Sequence, residues 1–154
     1  MADVNPIPDQ YPRVMPYLYV DGAGEAIEFY KKVLGASERM RMPGPNDSVG
    51  HAELEVGNSV IMLADENPDM DVCSPKTVGG TPVAFYVYVE DVDAAFEAAV
   101  ENGGKELRAV EDQFYGDRSG QFEDPWGHRW NVATHVEDVP PDEMEKRASE
   151  AMSG

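Results

Sequence analysis

The feature that most constrains this chain is an internal repeat. Tyr17-Leu18-Tyr19-Val20 returns as Tyr86-Val87-Tyr88-Val89 at an offset of 69, and the residues after each copy also match. Ala26, Ile27, Tyr30, Val33 and Leu34 recur at helical spacing before Gly35. Val92, Ala95, Phe96, Ala99 and Val100 do the same before Gly103-Gly104, with Asp91 placed as an N-cap. Gly50 and Glu53 then match Gly120 and Glu123, and Gly57 matches Gly127, at an offset of 70. Strand, helix, glycine stop and hairpin in the same order imply duplication of one βαβββ unit.

Taken in order, residues 1–12 carry Pro6, Pro8 and Pro12 and read as an irregular leader. The first module spans residues 13–64, with strands at Arg13–Val20, Ala36–Met42, Val49–Val56 and Ser59–Ala64. Residues 65–81, rich in Pro, Gly and acidic side chains, read as a linker loop. The second module spans residues 82–136, with strands at Pro82–Val89, Glu106–Val110, Gly120–Glu123 and Arg129–His135. Its last two strands flank a compact Asp124-Pro125-Trp126-Gly127 turn, and a Gly116-Asp117-Arg118 loop precedes both. Residues 137–154 form a tail in which Pro140-Pro141 opens a short helix, its Met144, Ala148 and Met152 stripe packing on the body of the protein. The fold class is α+β: two βαβββ modules plus a C-terminal helix.

Composition excludes several functions. With 30 acidic against 12 basic residues and a formal net charge of −18, the chain repels nucleic-acid phosphates and anionic membrane surfaces. No apolar run is long enough to span a bilayer and the start lacks signal-peptide blocks, so a soluble, cytoplasmic protein is expected. The single cysteine, Cys73, cannot form an internal disulfide or a thiolate metal site. No Ser/His/Asp or Cys/His constellation, phosphate loop or dinucleotide fingerprint is visible, and no cofactor is expected.

The phrases MPYLYVDGAGEAIEFY, HAELEVGNSVIMLAD and EDQFYGDRSGQFEDPWGHRWNVATHVEDV, with the duplicated βαβββ unit, resemble the vicinal oxygen chelate superfamily. That superfamily includes glyoxalase I, extradiol dioxygenases and bleomycin-resistance proteins, and the phrases look most like its PhnB-like branch. The resemblance implies curved mixed sheets around a concave pocket, and a homodimer. In metal-dependent members it also implies a histidine on the first strand and a glutamate or histidine on the last strand of each module. Those positions fall here on Met15, Ala84, Asn131 and near Met62, so the metal site of the family is absent from the pattern.

Strand alternation places other side chains on the same face: Met15, Tyr17, Tyr19, His51, Glu53, Met62, Tyr86, Tyr88, Gln121, Glu123 and Asn131, with Glu55, Arg129 and His135 beside them. Gln121 and Glu123 read as the duplicate partners of His51 and Glu53, while Tyr115 and Arg118 are expected at the pocket mouth. Tyrosines, methionines and carboxylates together suit an aromatic or cationic small molecule, although tyrosines also pack across sheets with their hydroxyls at water. Three functions therefore stay open. They are a metal-free small-molecule-binding protein, a metal-dependent lyase, isomerase or dioxygenase with a displaced site built from His51, Glu53 and Glu123, and a dimeric scaffold.

Overall fold

The computed structural model describes residues 3–153, so the first two positions of the leader and the last of the tail lie outside the described residues. The chain divides after Gly80 into two compact units, each built on one four-stranded sheet. In the first unit, β1 (Tyr17–Val20) leads into α1 (Ala23–Leu34), then β2 (Ser37–Pro43), β3 (Val49–Val56) and β4 (Ser59–Asp65). The sheet order is β1-β4-β3-β2, with β1 parallel to β4 and the other pairs antiparallel. A short helix, α2 (Pro75–Val78), closes the unit. The second unit repeats the plan with β5 (Ala84–Tyr88), α3 (Val92–Glu101), β6 (Lys105–Asp112), β7 (Asp117–Glu123) and β8 (Arg129–His135), in the order β5-β8-β7-β6, followed by α4 (Pro141–Ser153).

The α1 and α3 helices each cover one face of their own sheet. Leu18, Val20, Leu54 and Leu63 are buried with Ala26, Ile27, Tyr30 and Val33 of α1. In the second unit Trp130 and Phe122 are buried with Val92, Ala95, Phe96 and Ala99, whereas Val100 at the edge of the α3 stripe is largely exposed. Phe85 and Trp130 are register partners with ring centroids 4.8 Å apart, and Phe96 meets Phe122 edge-on at 6.3 Å. Gly120 is required at its place: a Cβ there would come within 3.1 Å of the Phe96 ring and 2.8 Å of Val110 Cγ2.

The starts of α1 and α3 are fixed from the last strand of their units. Asp65 Oδ1 accepts from the Gly22 and Ala23 amides at 2.9 and 2.7 Å, and its Oδ2 accepts from the Val49 amide at 2.7 Å. One carboxylate thus answers two orphan donors of α1 and holds β3 against β4. Thr134, which lies 69 positions later, accepts from the Val92 amide at 2.9 Å and donates to the Val89 carbonyl. Asp91 adds the N-cap expected of it, accepting from the Ala94 amide. A third carboxylate shapes the β7–β8 connection. Asp124, buried, accepts from the Trp126 and His128 amides and from the Trp130 indole at 2.9–3.0 Å.

Several boundaries differ from the sequence reading. The strand expected from Arg13 begins only at Tyr17, because Pro16 has no amide to donate and contributes only its carbonyl, to the Met62 amide. The expected Gly116-Asp117-Arg118 loop is shorter, since Asp117 and Arg118 pair with His135 and Thr134 as the first rung of β7. The stretch read as a linker contains a 3₁₀ turn at Pro68–Met70 and α2, both opened by a proline at the first position, and Glu66 binds the Ser74 amide and Thr77 hydroxyl. The α4 helix is tied less by its apolar stripe than by Arg147, which reaches Glu137, Glu143 and the Phe114 carbonyl, while Met152 is exposed.

Replacing Asp65 by Ala strands three amide donors and is expected to cost about 3 kcal/mol in urea unfolding, with Asp65→Asn losing less because its single oxygen keeps some of the bonds. A loss under about 0.5 kcal/mol would show that α1 is placed by packing alone.

Candidate functional site

Register fixes which side chains share the sheet face opposite each helix. In the first unit one row reads Tyr17, Met62, Glu53 and Met40; the next reads Tyr19 and Ala64, with His51 opposite Met42 further along β3. In the second unit the corresponding row reads Tyr86, Asn131, Gln121 and Arg108. The structural partner of Glu53 is therefore Gln121, and that of Glu55 is Glu123, two residues from the pairing read in the sequence. The cause is the hairpin: β3 and β4 join through Gly57-Asn58 alone, whereas β7 and β8 are separated by residues 124–128. Gly57 and Gly127 both have positive φ, but they stand in turns of different length.

In the first unit the leader lies across this face. Tyr11 donates its hydroxyl to Glu53 Oε1 at 2.8 Å, and its ring receives the Arg39 guanidinium at 4.7 Å. Arg39 also holds the Gln10 carbonyl. A cavity of about 340 Å³ remains, bounded by Ile7, Tyr11, Arg13, Met15 and Met62 with leader prolines. Met15 and Met62 are thus brought together. Beside them, His51 Nε2 lies 2.8 Å from Glu53 Oε2, and the Tyr17 hydroxyl lies 2.7 Å from His51 Nδ1. Burial alone would raise the Glu53 pKa, but the bonds from His51 and Tyr11 outweigh it and hold the carboxyl below its usual range. Tyr17 is pushed up, by burial first and by Tyr19 and Glu53 next.

The second unit solves the same face differently. Asp117, almost wholly buried, accepts the Tyr86 hydroxyl at 2.6 Å and the Tyr88 hydroxyl at 2.8 Å on Oδ2, and His135 Nδ1 at 2.9 Å on Oδ1. His135 Nε2 meets Asp138 at 2.7 Å. The two rings stand 5.4 Å apart at 60°, and 46% of Tyr86 and 61% of Tyr88 remain exposed. Tyr115 also engages the Tyr86 hydroxyl. Arg118 is not at the mouth. It points toward α3, bonded to Asp93 at 2.9 Å and to Asp112 at 3.2 Å, because alternation sends its side chain opposite to that of Asp117. Asn131 accepts from Arg108 at 3.5 Å, and Glu123 stands 3.9 Å from Arg129.

The residues do not fit the metal of the resembling family. Met15, Met62, Ala84 and Asn131 offer thioethers, a methyl and an amide, and among the described residues no three His, Cys, Asp or Glu side chains cluster closely enough to hold an ion. His51 and Glu53 spend their ring nitrogens and carboxylate oxygens on each other, Tyr17 and Tyr11. Sequence reasoning missed Tyr11, Met40, Met42, Asp117 and Asp138. Met40 and Met42 were legible from alternation; Asp117 was hidden by its assignment to a loop.

A duplicated βαβββ chain with polar groups on the faces opposite its helices defines a class, and comparison gives its family. Residues 10–132 match the Glyoxalase/Bleomycin resistance protein/Dioxygenase superfamily, and the chain belongs to it. An uncharacterised protein of Mycobacterium bovis is 40% identical over 146 residues, covering 93% of this chain and 96% of the relative. A protein from Pseudomonas aeruginosa of known crystal structure has the same fold, with a TM-score of 0.68 at 24% identity over 82% of this chain and 99% of that one. The PhnB protein from Bacillus cereus matches with a TM-score of 0.63 at 18% identity, covering 80% and 99%. No helix among the described residues is long and apolar enough to cross a membrane.

The Asp117 cluster predicts a pH dependence. The Asp117 pKa, which burial would raise, is brought below its ordinary 3.8 by Tyr86, His135 and Tyr88, so its contribution holds above about pH 4 and fades as pH falls further. His135 is raised above its ordinary 6.5 by Asp117 and Asp138, so its contribution is complete below that value and is lost as pH rises through the raised pKa. Thermal melts of wild type and His135→Gln should therefore differ most between about pH 4 and 6.5 and converge in alkali. A difference that grows with pH would contradict this.

Proposed function

We propose that this chain binds a small flat or cationic organic molecule against Tyr86 and Tyr88, without a resident metal. One observation carries the reading: two exposed rings are anchored by their hydroxyls to a buried carboxylate, which leaves their faces free and their orientation fixed. Rings that are already ordered lose little freedom on binding, and aromatic faces attract both aromatic ligands and organic cations. The Gln121 and Asn131 amides in the same row as Tyr86 supply neutral hydrogen-bonding groups for orientation. The metal-free part rests on the donor types at Met15, Met62, Ala84 and Asn131. Placement in the PhnB-like branch rests on the sequence phrases and is supported by the fold shared with the Bacillus cereus protein. A cytoplasmic homodimer without nucleic-acid or membrane partners belongs to the same proposal, through the family resemblance and the net charge of −18.

Calorimetry with quaternary ammonium and aromatic probes tests it, using wild type and Tyr86→Ala. Loss of one stacked ring is expected to weaken binding roughly tenfold, equivalent to about 1.4 kcal/mol. Equal affinities for a probe that binds both proteins would move the site elsewhere. Metal analysis of protein purified without chelator should find far less than one equivalent; a stoichiometric divalent ion would overturn the metal-free reading.

A further inference from the structure

The first unit carries a side-chain constellation that the binding proposal does not use. Tyr17, His51 and Glu53 form a continuous chain of hydrogen bonds: the Tyr17 hydroxyl to His51 Nδ1 at 2.7 Å, and His51 Nε2 to Glu53 Oε2 at 2.8 Å. Glu53 is held ionised, so it only accepts, and His51 must present the Nε2 hydrogen to it. In neutral His51 that leaves the Nδ1 lone pair facing the Tyr17 O–H. A hydroxyl, a base aimed at its proton and a carboxylate orienting the base are the three parts of an activated oxygen nucleophile.

Comparison with the second unit shows that this is not the inevitable result of tyrosines beside polar groups. There, Tyr86 and Tyr88 donate directly to a carboxylate; burial first and that bond next raise the Tyr86 phenol pKa, the bond first and burial next raise that of Tyr88, and the protons stay on oxygen. In the first unit a histidine is interposed, and it can take the proton. Tyr11, from the leader, occupies the other oxygen of Glu53 and completes its burial. Tyr17 is 40% exposed, so a small reactant can reach it from solvent. Met62, the register partner of Tyr17, lines the 340 Å³ cavity together with Met15 and Ile7.

We propose that Tyr17, His51 and Glu53 form a proton relay that activates the Tyr17 hydroxyl toward small esters with apolar acyl groups. Tyr17 Oη attacks the acyl carbon while its proton passes to His51 Nδ1, and the imidazolium is held by Glu53. The leaving oxygen takes that proton as its bond to the acyl carbon breaks, which leaves an ester on Tyr17. Water then attacks the acyl-tyrosine, giving its proton to His51, and return of that proton to Tyr17 oxygen releases the acid. The sum is ester plus water to acid plus alcohol. Because the phenol pKa is raised by burial, Tyr17 is protonated at neutral pH, and the relay supplies what ionisation does not.

Tyr19 is an internal control, since it lies on the same strand face and is 37% exposed against 40% for Tyr17. The full chain is treated with 4-nitrophenyl acetate, and acetylation at each tyrosine is followed by peptide mass spectrometry. In wild type, Tyr17 should be acetylated about a hundredfold faster than Tyr19. In His51→Gln the ratio should fall to about one, and in Glu53→Gln it should fall substantially. Because the ratio is measured within one chain, a variant that merely loosens the fold raises both rates and is distinguished from one that breaks the relay. Tyr17→Phe should abolish the early release of 4-nitrophenolate, and Tyr19→Phe should retain it. Equal rates at Tyr17 and Tyr19 in wild type, or a Tyr17 preference that survives in His51→Gln, would overturn the proposal. Neither result bears on ligand binding at Tyr86.

Discussion

The structure depends on a carboxylate placed where a strand ends and a helix begins. A parallel β1–β4 pair can form only if the helix between β1 and β2 returns over the sheet, and the first turn of that helix leaves backbone donors unanswered. Asp65, the last residue of β4, answers two of them and binds the Val49 amide as well. Helix, central strand and neighbouring strand of the first unit are thereby tied together by one side chain. Thr134 performs the helix-start function in the second unit with a neutral hydroxyl, and Asp124 shapes the adjoining turn. Once the helix faces are set, Tyr17, Tyr19, Tyr86 and Tyr88 have only the opposite faces to occupy.

Duplication supplied two similar sheets, and their exposed faces have diverged in how they satisfy a buried acid. Glu53 is satisfied by a histidine and by Tyr11 of the leader, which lies over the sheet and borders an open cavity. Asp117 is satisfied by two tyrosines of the sheet itself and by His135, which leaves the aromatic faces open. A buried carboxylate is tolerated only with several directed donors, so each choice of donors dictated the chemistry around it. One face holds a base next to a hydroxyl; the other holds rigid aromatic surface.

Much of this was legible in the sequence because it rests on periodicity. The repeated Tyr-x-Tyr strands, the Val92, Ala95, Phe96, Ala99 stripe and the Asp91 cap are local patterns with one physical solution each. Alternation alone placed His51, Glu53, Met62 and Asn131 on the correct faces. The pairing of Glu53 with Glu123 failed because register depends on turn length, and the two-residue Gly57-Asn58 turn cannot be compared with the longer Asp124–His128 loop by matching glycines. The contacts of Asp117 with Tyr86, and of Tyr11 with Glu53, join residues 31 and 42 positions apart. No local pattern encodes such pairs; the fold creates them.

The claim that the open face of the second unit receives a ligand is tested most directly by NMR with ring-labelled tyrosine, titrating benzyltrimethylammonium into the full chain. The account predicts saturable shifts at Tyr86 and Tyr88, larger than those at any other tyrosine, and their loss in Asp117→Asn, where the rings lose their charged anchor. Saturable shifts confined to other tyrosines, or none at Tyr86 and Tyr88 at any probe concentration, would contradict it.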